Sequence, residues 1–224
     1  MGVHDGHRQR MKERFLEGGL DNFNDINTLE LLLFYALPRC DTNVVAHRLL
    51  DRFGSLPAVL EATADELSKV DGIGESAAVL LALVPQVSRR YMTEKAQTMS
   101  SISGSAEAGR YFLPKFMYEK DEVVYMACLD SAHRVTSCRE IGRGVVNAAE
   151  VSVRRIVELA LQQNAAAVIL AHNHASGLAL PSREDELTTG KIASALQLVG
   201  INLIDHVIIA GDEFVSMADS GLII

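Results

Sequence analysis

Apolar and polar positions alternate with two different periods along this chain, and the change of period divides it. In the first ninety or so residues the apolar positions fall at helical spacing. Residues 7–17 read as a helix stopped by Gly18-Gly19. Asn27-Thr28-Leu29-Glu30 sets a capping residue three positions before Glu, ahead of an apolar run over 31–37 that Pro38 ends. Asp41 is placed to cap a helix whose buried stripe is Val44, Val45, Leu49 and Leu50, with Gly54 after it. Thr63-Ala64-Asp65-Glu66 is a further capping box. The last helix follows Gly74, carries Ala77, Ala78, Leu81 and Val84, and meets Pro85, which kinks or ends it.

Residues 93–104 are polar and small, a composition that suits a linker. Beyond them a helix over 105–118 leads into a β-branched run at 122–129. The segment 134–141 reads as its antiparallel partner across Asp130-Ser131-Ala132-His133. An amphipathic helix over 151–163 precedes 165–171, a continuous apolar run of the kind a central strand shows. A long helix over 183–199 follows, then 203–210 and 213–217 flank Gly211-Asp212, a hairpin signal. The expectation is an all-α domain over 1–95 and an α/β (α+β) domain over 96–224, with a mixed sheet flanked by helices.

Composition narrows the class. With 224 residues, 48% apolar and 22% charged, the chain has ordinary globular usage. No apolar run approaches the ~20 residues of a membrane span, and the first residues lack the apolar core of a secretory signal, so a cytoplasmic protein with no membrane partner is expected. Cys40, Cys128 and Cys138 are scattered without CxxC spacing, against both a disulfide framework and a cysteine zinc ribbon. The net charge is -8, and neither half is basic: 11 Lys/Arg against 14 Asp/Glu up to residue 95, and 10 against 15 after it. Tight nucleic-acid binding over the whole surface is disfavoured.

One segment in the helical half still bears on nucleic acid. The stretch from Leu67 to Ala78, with Gly72-Ile73-Gly74 at its turn, resembles a helix-hairpin-helix motif. Such hairpins often bind DNA without reading sequence, holding a phosphate on backbone N–H groups at a helix N-terminus. Gly72 and Gly74 are thus candidates for weak, non-specific DNA contact. The plainer reading is a tight interhelical turn, and Asp71 and Glu75 put carboxylates where a phosphate would sit.

The informative stretch is His172-Asn173-His174-Ala175-Ser176-Gly177, followed by Pro181-Ser182-Arg183-Glu184-Asp185. In a strand, residues two apart face the same side, so His172 and His174 converge while Asn173 faces away. Asp185 falls in the first turn of the next helix, where a carboxylate is electrostatically welcome. Each residue also has an ordinary reading: a strand-end histidine in the core, and Ser182 with Asp185 as a simple capping box. The combined spacing is far more specific. Two imidazoles and one carboxylate leave tetrahedral zinc an open position, as in catalytic rather than structural sites. Water in that position would ionise near pH ~7.

His-x-His, seven residues, then Ser-x-x-Asp resembles the pattern of the JAMM (MPN+) zinc metalloproteases. The fuller string, His-Asn-His-x-Ser-Gly with Pro-Ser-x-x-Asp, is similar to the RadC family, once called DNA repair proteins. The likeness extends to the segment from Leu29 to Thr42, to Arg143-Gly144-Val145-Val146-Asn147-Ala148-Ala149 and to Asp205-His206. It implies an MPN/JAMM-type domain holding one Zn2+ per chain on His172, His174 and Asp185. It also implies an oxyanion-stabilising Ser182 and a catalytic Glu at the start of the strand after the first helix, which falls on Glu122. Glu119 and Asp121 compete for that place, but Glu122 immediately precedes Val123-Val124-Tyr125-Met126. The chain departs from the family in having Ala175 where Pro is usual, and Val153-Arg154-Arg155 where Pro-Arg-Glu is usual.

Two functions from different classes follow. One is a zinc-dependent hydrolase of peptide or isopeptide bonds, with Glu122 as general base and a peptide or protein as substrate. The other is a DNA-repair or replication-associated accessory protein in which the MPN domain is a docking module. An intact ligand set beside Glu122 and Ser182 favours the enzyme.

Overall fold

The regular elements described in the predicted helical half are all helices. A computed structural model of the chain describes residues 3–97, 101–144, 152–174 and 177–223. The helices are α1 (Val3–Gly18), α2 (Asp25–Ala36), α3 (Thr42–Phe53), α4 (Leu56–Leu60), α5 (Ala64–Leu67) and α6 (Glu75–Gln97). Asp41 caps α3, and Gly54 ends it in the left-handed region, as its sequence signals imply. The Thr63/Glu66 capping box forms as well. One cap differs from expectation. Asn24, not Asn27, caps α2, with its side chain accepting from the Asn27 N–H, so the helix starts earlier. Glu30 is consequently well inside the helix and buried, meeting His7 Nε2 at 2.9 Å and Asn43 Nδ2 at 3.3 Å.

The core of this half is built from Leu29, Leu33, Leu49, Leu67 and Leu81, all fully buried. Pro85 lies inside α6 without ending it, and the helix runs on to Gln97 through the first residues assigned to a linker. The chain divides into two compact units, residues 1–88 and 89–224. No helix among the described residues is long and apolar enough to cross a membrane.

The second unit opens with α7 (Ser105–Phe116), β1 (Val123–Leu129) and β2 (Val135–Arg143). It continues with α8 (Val153–Gln162), β3 (Ala167–Asn173), α9 (Arg183–Gln197), β4 (Asn202–Ala210) and β5 (Glu213–Ser216). The sheet order is β2-β1-β3-β4-β5. Only β3 and β4 run parallel, joined by α9, while the other neighbours are antiparallel, which makes the sheet mixed. Its two faces follow strand parity. Val168 and Leu170 pack with Ile156, Ile192 and Leu196 of α8 and α9. Ala167, Ile169 and Ala171 pack with Phe112 and Phe116 of α7. β3 is buried along its whole length, which explains its unbroken apolar run.

Candidate metal centre

The site forms where β3 ends and α9 begins. His172 shares the parity of Leu170, and the ladder continues past the strand's last residue because the His174 N–H donates to the Ile209 carbonyl at 2.8 Å. Both rings therefore face the same side. After the loop, Ser182 caps α9 and Asp185 occupies the third helical position. Their capping box is complete: the Asp185 N–H donates to Ser182 Oγ at 3.1 Å, and Ser182 N–H and Oγ–H donate to Asp185 Oδ2 at 2.7 and 2.5 Å.

The two elements bring three donors to one point. His172 Nε2 lies 3.3 Å from Asp185 Oδ1, and His174 Nε2 lies 3.4 Å from Asp185 Oδ2. The two Nε2 atoms are 2.9 Å apart. A tetrahedral ion with bonds of ~2.0–2.1 Å has ligand atoms ~3.3 Å from one another; the two nitrogen–oxygen distances, one to each carboxylate oxygen, are close to that value and the nitrogen–nitrogen distance is shorter. Each His is also oriented from behind. His174 Nδ1 meets the Leu178 carbonyl at 3.0 Å, which makes Nδ1 the protonated nitrogen and frees Nε2. His172 Nδ1 meets His206 Nε2 of β4 at 2.9 Å.

Electrostatics match the geometry. Burial pushes His172 down to about 4, with the nearby Asp185 resisting and His174 adding to the fall. His206, fully buried, is pushed well below 6.5 by desolvation. Hydrogen bonding to Asp185 raises His174 against its own partial burial. Burial alone would raise Asp185, but hydrogen bonds from His174 and Ser182 outweigh it and hold the carboxyl below its usual range. Asp185 is thus kept ionised and His172 neutral, as a divalent cation requires, while a cation would have to displace the proton that Asp185 favours on His174.

Glu122 is partly buried just before β1, and its charge acts on His174. Its two acidic neighbours are otherwise engaged or open to solvent. Glu119 pairs with Arg89 and Arg143, each at 2.8 Å, and Arg143 leads in holding its carboxyl low, while the Asp121 side chain is 63% exposed. Asn173, which parity turns away from the donors, clamps the Glu122 backbone. Its Oδ1 accepts from the Val123 N–H at 2.7 Å and its Nδ2 donates to the Asp121 carbonyl at 2.9 Å. The Gly144 N–H donates to the Glu122 carbonyl at 2.8 Å. Sequence reasoning did not assign Asn173, His206 or Thr189 a role. The signals were an Asn between two candidate ligands and the Asp205-His206 pair.

Of the two hairpin glycines, Gly72 has a local explanation, while nothing in the structure requires glycine at Gly74. Gly72 has φ +93°, and a Cβ there would come within 2.8 Å of Val45. Arg48 donates to the Asp71 carbonyl and pairs with its carboxylate at 2.8 Å. Around Gly74 a Cβ would meet nothing within 4 Å, and its carbonyl accepts the Ala77 and Ala78 N–H groups at the start of α6. Of the quoted family residues, 145–149, Ala175 and Ser176 lie outside the described part.

A mixed sheet flanked by helices, with a His-x-His strand end and an Asp-bearing helix start, is consistent with a JAB/MPN domain. The family model described as the RadC-like JAB domain matches residues 102–222. A UPF0758 protein of Pseudoalteromonas translucida is 36% identical over 215 residues, covering 96% of each chain. Others from Fusobacterium nucleatum (34% over 225 residues, 97% of each chain) and Burkholderia cenocepacia (37% over 213 residues, 95% of this chain and 83% of the relative) are similarly related. The chain belongs to the RadC family.

Proposed function

We propose that this protein is a zinc-dependent hydrolase of peptide or isopeptide bonds. The observation that carries the reading is the convergence of His172 Nε2, His174 Nε2 and an Asp185 carboxylate oxygen within 4.8 Å of one another. Those three residues would hold the ion, and a zinc ion there supplies a Lewis acid that polarises a carbonyl and acidifies water. Glu122 takes a proton from the attacking water and returns it to the leaving amine. Asn173 keeps the Glu122 backbone in place through both flanking peptide groups. Ser182 orients Asp185 and, when its hydroxyl turns from Oδ2, donates to the developing oxyanion.

Metal analysis of protein purified without an affinity tag tests the reading. Wild type should carry about one zinc per chain, and the double variant His172→Ala, His174→Ala should carry none above background. Equal zinc content in the two proteins would overturn the assignment.

A further inference from the structure

Behind the three donors runs a line of polar groups sealed in the core between β3, β4 and α9. His172 Nδ1 lies 2.9 Å from His206 Nε2, His206 Nδ1 lies 2.6 Å from Thr189 Oγ1, and Thr189 Oγ1 lies 3.6 Å from Met217 Sδ. His206, Thr189 and Met217 are 0% exposed and His172 is 3% exposed, so the line is closed to bulk solvent. Its far end is held firmly. Asp205 accepts from the His206 N–H at 2.7 Å, the Ser216 hydroxyl at 2.7 Å and the Ala218 N–H at 3.1 Å, and the Met217 N–H donates to the His206 carbonyl at 3.1 Å.

Proton counting along this line has a direction. A metal on His172 Nε2 takes that lone pair, so the neutral ring must carry its proton on Nδ1. His206 Nε2 must then be the acceptor, which places the His206 proton on Nδ1. Thr189 Oγ1 must accept that proton, which sends its own hydroxyl proton onward. The onward group is a thioether, which can only accept. Every link is satisfied in the one polarity that offers His172 Nε2 to a metal. Histidine ligands are usually oriented by a carboxylate or a backbone carbonyl; here the orienting group is a second neutral imidazole, which adds no negative charge to the site.

We propose that His206, Thr189 and Met217 form an uncharged hydrogen-bond line that positions His172 for zinc through Nε2, with the sulfur as its terminal acceptor. The proposal rests on the metal-binding part of the function above. These are positioning residues, since none of them lies at the point where the donors converge. Thr189 is the member to probe. Valine is close to threonine in shape but leaves the buried His206 Nδ1–H without a partner in the zinc-loaded state, whereas serine keeps the hydroxyl. In the metal-free state the valine variant moves the His206 proton to Nε2 and leaves a buried Nδ1 lone pair in place of a buried N–H without a partner, an exchange closed to the zinc-loaded state, so metal affinity bears the difference.

Two measurements on the full chain test this, with zinc ion as the probe. Chelator competition should show the zinc dissociation constant of Thr189→Val raised ~10–100-fold over wild type, the range for residues that orient metal-bound histidines, and Thr189→Ser close to wild type. Long-range proton–nitrogen NMR of the zinc-loaded wild type, which needs no variant, should show both His172 and His206 protonated on Nδ1. Equal zinc affinity in Thr189→Val and wild type, or a His206 proton on Nε2 in the loaded protein, would overturn the line. Failure of the wild type to bind zinc would overturn the metal centre itself and the line with it.

Discussion

Glu122 and Asn173 show how one side chain prepares another. The register that pairs Val124 with His172 brings Asn173 opposite Val123, and there the side-chain amide supplies the hydrogen bonds that a further ladder pair would have made. The residue between the two metal-ligand candidates thus secures the backbone of the proposed base. Glu122→Gln keeps the side-chain shape but cannot accept a proton. It should retain zinc while turnover of a cleaved peptide falls by ~10²–10⁴-fold, the usual worth of general acid–base assistance. Turnover at the wild-type rate in a zinc-loaded Glu122→Gln would exclude Glu122 as the base. Asn173→Ala should cost roughly 1–3 kcal/mol in chemical denaturation, because the buried Val123 N–H loses its acceptor. A cost near zero would mean that water or a shifted backbone replaces the amide.

At the scale of elements, helix starts and strand ends carry the chemistry. The Ser182/Asp185 capping box ties the proposed metal ligand to the first turn of α9, so helix formation and carboxylate placement are one event. Ser182→Ala removes that cap. A loss of about 1 kcal/mol is expected from the cap alone, with zinc affinity falling as Asp185 loses its restraint; calorimetry of the metal-free and zinc-loaded protein separates the two. Much of this was legible beforehand, since caps at Asp41, Thr63 and Ser182 and the alternation through His172 and His174 are local patterns. The start of α2 was not. Asn24 outcompeted Asn27 as the cap, and Glu30 turned inward to meet His7 and Asn43, a pairing across 23 and 13 residues that no local window contains.

For the whole molecule, the buried imidazoles set a direction for pH dependence. His172 and His206 are depressed by burial, to about 4 and well below 6.5 respectively. The unfolded chain binds these protons near pH ~6.5, so between that value and the folded ones it holds more protons than the native state. Their contribution is complete above pH ~6.5 and is lost as pH falls towards 4. Asp185, also depressed, adds a loss below about pH 4 as its protonation in the unfolded state takes over. His174 is raised, so its contribution runs the other way, present in acid and fading as pH rises. Two buried rings against one half-buried ring give a metal-free protein whose thermal midpoint drops from pH 7 to pH 5. A midpoint that holds or rises over that interval would contradict the neutral state of the buried pair. Zinc at 100 times its dissociation constant should add ~2.7 kcal/mol to folding stability, reversible by chelator.

What the sequence determined by itself is what depends on near neighbours: the periods that separate a helical half from an α/β half, most caps, and the spacing that puts two imidazoles on one strand face and a carboxylate at a helix start. Each is settled within a turn of helix or a few strand residues, where sterics and local hydrogen bonds act. Only the tertiary structure shows that Glu119, one of the three acidic residues before β1, is held elsewhere. Arg89 and Arg143 claim Glu119, while the charge of Glu122 acts on His174. Only it placed His206 behind His172 and Thr189 behind His206, because those contacts join β3, β4 and α9 across 34 and 17 residues. A proton's position on a buried ring depends on partners in space, and a linear pattern holds no record of them.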